Sequence, residues 1–166
     1  MSTDVVIGLS AVILSLKDGD ARVLTVRRPG ARQAGLPFGP FAPDSHRTFE
    51  LALKAFVTRQ TGFSLGYVEQ LYTFGDKGRD APLADVGAGA ARVISVGYLA
   101  LAPAADDTPT SDSAWDTWSR YFPYEDWRRG RPSALDSVIA PALAAWSEGS
   151  ESRRSRARLS LSLIHI

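Results

Sequence analysis

The apolar residues of this chain fall into short branched runs separated by turn residues, with one stretch at helical spacing. Val5 to Leu16 is rich in branched apolar side chains, and Ala21 to Arg28 alternates Val23 and Thr25 with Leu24 and Val26. Lys17-Asp18-Gly19-Asp20 lies between them, and an Asp-Gly step favours a tight turn, so the pair is predicted to form a β-hairpin. Residues 29–43 hold Pro29, Gly30, Gly35, Pro37, Gly39, Pro40 and Pro43 and are read as a loop. Phe49, Ala52, Leu53, Phe56 and Gln60 then recur on one helical face, which predicts a helix near 46–61. Asp44 or Ser45 is its expected N-cap and Gly62 its C-terminal glycine. Tyr67–Phe74, Arg92–Leu101 and Ala114–Phe122 are predicted strands, and residues 75–91 form a Gly/Asp-rich connection. A last helix is expected over Leu135–Trp146, capped by Ser133, with Pro141 kinking it or ending its first half. This order predicts a mixed α+β domain of two or three layers.

Composition narrows the chemistry. The 166 residues are 45 % hydrophobic and 22 % charged, which fits a globular domain and argues against disorder. With no Cys there is no disulfide framework, thiolate nucleophile or Cys-based metal site. His46 and His165 are the only histidines, too few for a histidine cage. The run Val5–Leu16 is too short to span a bilayer and follows no basic segment, so a cytoplasmic protein without membrane contact is expected.

Charge is unevenly placed. Arg153, Arg154, Arg156 and Arg158 are opposed locally only by Glu151; without these, 15 basic and 17 acidic residues remain over positions 1–150. The main domain therefore has no electrostatic reason to hold nucleic acid. Leu161-Ser-Leu-Ile-His-Ile166 reads as translated sequencing adapter, which would make this chain a shortened form of a longer one.

Leu36-Pro37-Phe38-Gly39-Pro40-Phe41, a polar turn, and a helix closing in Thr61-Gly62-Phe63 together resemble the Nudix box. In that family, G-x5-E-x7-R-E-U-x-E-E-x-G-U (U, a bulky aliphatic) is a glycine loop and a helix whose glutamates bind magnesium over a diphosphate. Hard Mg²⁺ takes such oxygen ligands, neutralises the pyrophosphate and activates water. Aligned on Gly62, the box Arg and its following Glu fall on Ala55 and Phe56, and the paired Glu on Arg59 and Gln60. The first box Glu falls on Arg47, by a spacing two residues too long. Aligned on Gly39 instead, the Glu positions hold Ser45, Lys54, Val57 and Thr58. Neither register supplies a carboxylate, and Glu50 is the only acid between Ser45 and Thr61.

The resemblance runs over about residues 3–146. Gly66-Tyr-Val-Glu-Gln-Leu-Tyr-Thr-Phe-Gly-Asp76, then Gly78-Arg79-Asp80 and Arg92-Val-Ile-Ser-Val-Gly-Tyr-Leu99, is similar to the bacterial Nudix-related transcriptional regulators of NAD metabolism. Leu24–Pro29, Leu36–Phe41 and Tyr121–Trp127 look most like their alphaproteobacterial group. The resemblance implies a Nudix-like α/β/α sandwich with a mixed sheet over residues 3–149. It also implies a linker over 150–160 towards a winged helix that would carry DNA binding, and no cofactor or metal.

It further implies an NAD-related nucleotide such as ADP-ribose as ligand, with contacts from Arg27, Arg28, Phe38, Gly39, Phe74, Asp76, Arg79, Asp80 and Arg92. Arg79 and Arg92 can grip a diphosphate bidentately, although turn chemistry and surface pairing also account for them and for Asp80. Strand alternation turns Tyr72 and Phe74 the same way as Gln70, which favours core over stacking on adenine. Arg27 and Arg28 end a strand at the rim. His46 is expected on the surface of the first helical turn, and Gly87-Ala-Gly89 at a loop tip. Trp115, Trp118, Tyr121, Phe122, Tyr124 and Trp127 crowd thirteen residues; core packing explains them, and so does a homodimer interface. Two other functions are compatible with the sequence. One is a hydrolase drawing on Glu69, Asp76, Asp80 or Asp85; the other is an interaction domain that has lost its ligand.

Overall fold

A computed structural model describes residues 5–75, 92–103 and 110–148. The chain divides into two compact units, residues 1–117 and 118–166.

Among the described residues, the first unit is a six-stranded mixed sheet with one helix. Strand β1 (Val5–Lys17) turns into β2 (Asp20–Val26) through Asp18 and Gly19, whose φ angles of 53° and 81° match the turn that an Asp-Gly step favours. The remaining strands are β3 (Phe38–Pro40), β4 (Glu69–Phe74), β5 (Arg92–Leu101) and β6 (Ser113–Thr117), in the order β4-β5-β1-β2-β6. β1 is central. Its outer half pairs antiparallel with β2, its inner half with β3, and its other edge runs parallel to β5 from Val5↔Arg92 to Leu14↔Leu101. This mixed sheet with helices is the α+β class expected.

Helix α1 (Phe49–Thr61) begins later than its periodicity suggests. His46 is the reason: its Nδ1 accepts the Ala42 N–H at 3.0 Å and its own N–H donates to the Ala42 carbonyl. That closes a separate turn, so Asp44 and Ser45 do not cap the helix. Thr48 caps it instead, its hydroxyl accepting from the Leu51 N–H, and Gly62 ends it at φ 69°. One face of α1, carrying Ala52, Leu53, Phe56 and Val57, covers Leu9, Ala11 and Ile13 of β1, Leu24 of β2, and Val96, Tyr98 and Ala100 of β5. Each large apolar side chain fully buried there contributes about 1.5–3 kcal/mol.

Two close approaches shape this core. A Cβ on Gly39 would lie 2.7 Å from the Phe56 ring, so glycine lets α1 rest on β3. Tyr98 is buried with its hydroxyl donating to Gln70 Oε1 at 3.3 Å. Burial pushes its phenol above the usual value of 10.0, and the Glu50 carboxylate adds to the shift.

In the second unit the expected strand to Phe122 stops at Thr117, and single-turn helices follow at Trp118–Arg120 and Pro123–Glu125. Aromatic packing replaces strand pairing here. Trp118 stacks on Phe122 at 4.4 Å and donates its indole N–H to Glu125 at 2.7 Å. The Arg128 guanidinium donates twice to Asp126, holding that carboxyl at about 2. The final helix opens with a widened turn, Leu135–Ile139, before α2 (Ala140–Glu148). Pro141 has no N–H and its ring crowds the carbonyl four residues back, which explains a wide turn where a kink is predicted.

Gly39→Ala should lower stability by about 1–3 kcal/mol, read from urea unfolding, because the added methyl must displace a packed ring. The loss should shrink when Phe56→Leu removes that ring. Tyr98 should make stability fall as pH rises past 10.0, since the unfolded phenol ionises before the buried one. Tyr98→Phe should flatten that alkaline limb of the stability profile.

Candidate nucleotide-binding face

The two faces of the sheet differ in kind. Side chains at Leu9, Val96 and Tyr98 point to α1, so their neighbours Ser10, Ser95 and Gly97 point the other way. On that second face, Tyr72, Gly97, Ser10 and Phe38 form one row across β4, β5, β1 and β3. Phe74, Ser95, Gly8 and Pro40 form the next. The result is a strip floored by glycine and serine, with aromatic rings on both sides. Its walls stand three strand spacings, or about 14 Å, apart.

A bulge in β4 creates the first wall. The register slips between Gln70 and Tyr72, so Gln70 stays with Tyr98 on the α1 side while Tyr72 and Phe74 cross to the strip. Alternation alone places all three together, and the bulge overturns that expectation. Tyr72 is 64 % exposed and Phe74 half-buried, their rings edge to face at 4.9 Å, so neither fills the core. Phe74 leans over Gly97, its Cε2 lying 3.9 Å from where a Cβ would stand.

The second wall is Phe38, only 8 % exposed, with the Arg28 guanidinium 5.3 Å above its ring. β2 ends at Val26, and Val26 and Gly35 exchange both backbone hydrogen bonds, at 2.8 and 2.9 Å. This pinches the intervening loop shut and returns Arg28 to Phe38. Arg27 is exposed, its backbone N–H donating to Asp112 at 2.7 Å.

The remaining candidates divide. Gly39 faces Phe56 and serves the helix contact. Arg92 is exposed, donating to the Gly75 carbonyl at the end of β4 at 2.8 Å. Asp76, Arg79, Asp80, Asp85 and the Gly87-Ala-Gly89 tip lie outside the described residues. Of the nine candidates, Arg28, Phe38 and Phe74 are brought to one face. Ser10, Gly97 and Tyr72 join them; sequence reasoning assigned no ligand role to Ser10 or Gly97, because only strand register shows which small residues share a face.

The last two turns of α1 do not fit a magnesium ion. Ala55, Phe56, Arg59 and Gln60 offer no carboxylate, and Glu50, in the first turn, pairs with Lys54 at 2.7 Å. The Gln60 amide is committed elsewhere: Oε1 accepts the Phe38 N–H at 3.1 Å, and Nε2 donates to the Phe38 carbonyl at 2.7 Å. Among the described residues, no three His, Asp or Glu gather as a metal site, and no helix is long and apolar enough to cross a membrane.

No family model and no curated protein matches the sequence. Solved structures do match. The NUDIX domain of Shewanella oneidensis NrtR, complexed with ADP ribose, is 22 % identical with a TM-score of 0.58, covering 74 % of this chain and 79 % of that one. The Shewanella oneidensis NrtR complexed with a 27mer DNA is 21 % identical with a TM-score of 0.55; the match covers 86 % of this chain but only 62 % of NrtR. A mutT/nudix family protein from Listeria innocua is 15 % identical with a TM-score of 0.55, covering 89 % of this chain and 97 % of that one. These likenesses establish the architecture: the chain has the Nudix fold.

Proposed function

We propose that this chain is a nucleotide-sensing Nudix-fold domain that binds ADP-ribose, or a closely related NAD-derived nucleotide, without a metal and without hydrolysing it. The observation that carries the reading is the strip of Gly8, Ser10, Ser95 and Gly97 between Phe38 and the Tyr72–Phe74 pair. Small floor residues let a flat ring approach the backbone, and the exposed Tyr72 ring suits an adenine face. Arg28, steadied on the Phe38 ring, supplies charge for a diphosphate. The absence of carboxylates from the end of α1 supports binding without chemistry. The NrtR domain complexed with ADP ribose, whose fold this chain shares, supports the ligand class.

In this reading the domain is the effector part of a cytoplasmic, homodimeric bacterial regulator of NAD biosynthesis. DNA contact would belong to a winged helix beyond residue 149. The exposed Tyr121, Tyr124 and Trp127 are the surface proposed for dimerisation.

Phosphorus NMR of ADP-ribose titrated with the protein tests this directly. The diphosphate lines should broaden and shift with EDTA or Mg²⁺ alike, with apparent affinities agreeing within about twofold, and no monophosphate signals should grow. Arg28→Met should weaken binding about tenfold, equivalent to about 1.4 kcal/mol. Monophosphate signals that need both protein and Mg²⁺, and that vanish in Asp76→Ala or Asp80→Ala, would make the protein a hydrolase instead.

A further inference from the structure

The Gln60 amide meets β3 as a missing strand would. The Pro37 carbonyl accepts from Ala11 and the Phe41 N–H donates to Ile7, so β3 spends alternate groups on β1. The N–H and carbonyl of Phe38 therefore face the outer edge, where an unpaired strand leaves polar groups exposed. Gln60 reaches that edge from α1 and satisfies both groups at once, at 3.1 and 2.7 Å. Only one orientation of the amide works, with oxygen towards the N–H and nitrogen towards the carbonyl. Phe56, one turn earlier on the same helix, presses on Gly39 next door. The Gln60 carbonyl accepts the Thr110 hydroxyl at 3.2 Å, so the brace is itself anchored.

We propose that Gln60 is the positioning residue for the Phe38 wall and can serve only as an amide, which commits the last turn of α1 to β3 and withdraws it from cation binding. A carboxylate at this position would set a negative oxygen against the Phe38 carbonyl, where Gln60 now places a donor. A protonated carboxyl, having both a donor and an acceptor, could restore the pair. The ligand half of this inference rests on the proposed function; the brace does not.

Gln60→Glu and Gln60→Met separate the possibilities. ADP-ribose affinity and the urea midpoint are measured for both variants and the unaltered protein at pH 7.5 and 4.5, the latter near the ordinary glutamate value of about 4.3. Among the described residues, the charged or titratable groups of this region are Arg28 on the Phe38 ring, Arg59 beside Gln60, Asp112 near Thr110, and His46 next to β3 in the turn from Ala42. All are common to the three proteins, so differences report position 60. Gln60→Glu should lose about tenfold in affinity at pH 7.5 and recover to within about threefold at pH 4.5, its urea midpoint following the same course. Gln60→Met, neutral and of similar size, should lose affinity and stability equally at both pH values.

Wild-type behaviour of Gln60→Glu at pH 7.5, or a deficit that persists on acidification, would overturn the proposal. Closure of that deficit by Mg²⁺ alone would also overturn it, by showing the turn free to take a cation. If the unaltered protein fails to bind ADP-ribose, the functional reading falls. The pH-dependent gap in urea midpoint, present for Glu and absent for Met, then still decides the brace. Should Gln60→Glu fail to fold at pH 7.5, folding on acidification supports the brace, and failure at both pH values refutes it.

Discussion

The Phe38 side of the candidate face depends on how closely α1 can lie against the short strand β3. Phe56 needs the space that a side chain at residue 39 would occupy, and Gly39 leaves it vacant. That contact brings the next turn of the helix within reach of the strand's outer edge, where the Gln60 amide satisfies the Phe38 backbone. With its backbone held, Phe38 keeps its ring on the far face of the sheet, and the ring in turn supports Arg28. A packing requirement on one face thus becomes geometry on the other.

The sheet uses register to keep its two surfaces apart. Residues facing α1 are large and sealed: Leu9, Ile13, Val96 and Tyr98. Of the residues on the other face, Val12, Leu14 and Leu99 are apolar, but Ser10, Ser95 and Gly97 have too little apolar surface to build a core. Central strands floored by glycine and serine lose packing energy, and what they gain is room for something to lie on the backbone. Tyr72 and Phe74 border that room only because one extra residue in β4 turns them over.

Much of the architecture was legible from local chemistry. The Asp18-Gly19 turn, the apolar face of α1 and the Gly62 ending each follow from residue type and spacing, and the structure bears them out. The missing carboxylates of the last turns of α1 were legible too, since they are a matter of composition. What escaped depended on partners distant in sequence. The slip at Leu71 is fixed by pairing with β5, 28 positions away for Gln70 and Tyr98. Gln60 reads as an uncharged helix residue until β3, 22 positions earlier, lies beside it. Asp44 and Ser45 are good capping residues by type, but His46 had already tied that segment into its own turn. The end of β6 escaped for a different reason: Trp118 and Phe122 suit a strand as readily as the stacked pair they form.

The parallel pairing of β1 with β5 also sets a timetable for the polypeptide as it leaves the ribosome. β1 and β2 can join as soon as they emerge, because only Asp18 and Gly19 separate them. β5 arrives after residue 91, so for that interval one long edge of β1, with its backbone N–H and carbonyl groups, has no strand to meet. Non-local pairing of this kind is slow to form, and an uncovered edge is where nascent chains stick to one another. Chaperone demand during synthesis should therefore peak before residue 101 emerges from the ribosome and fall once that strand docks.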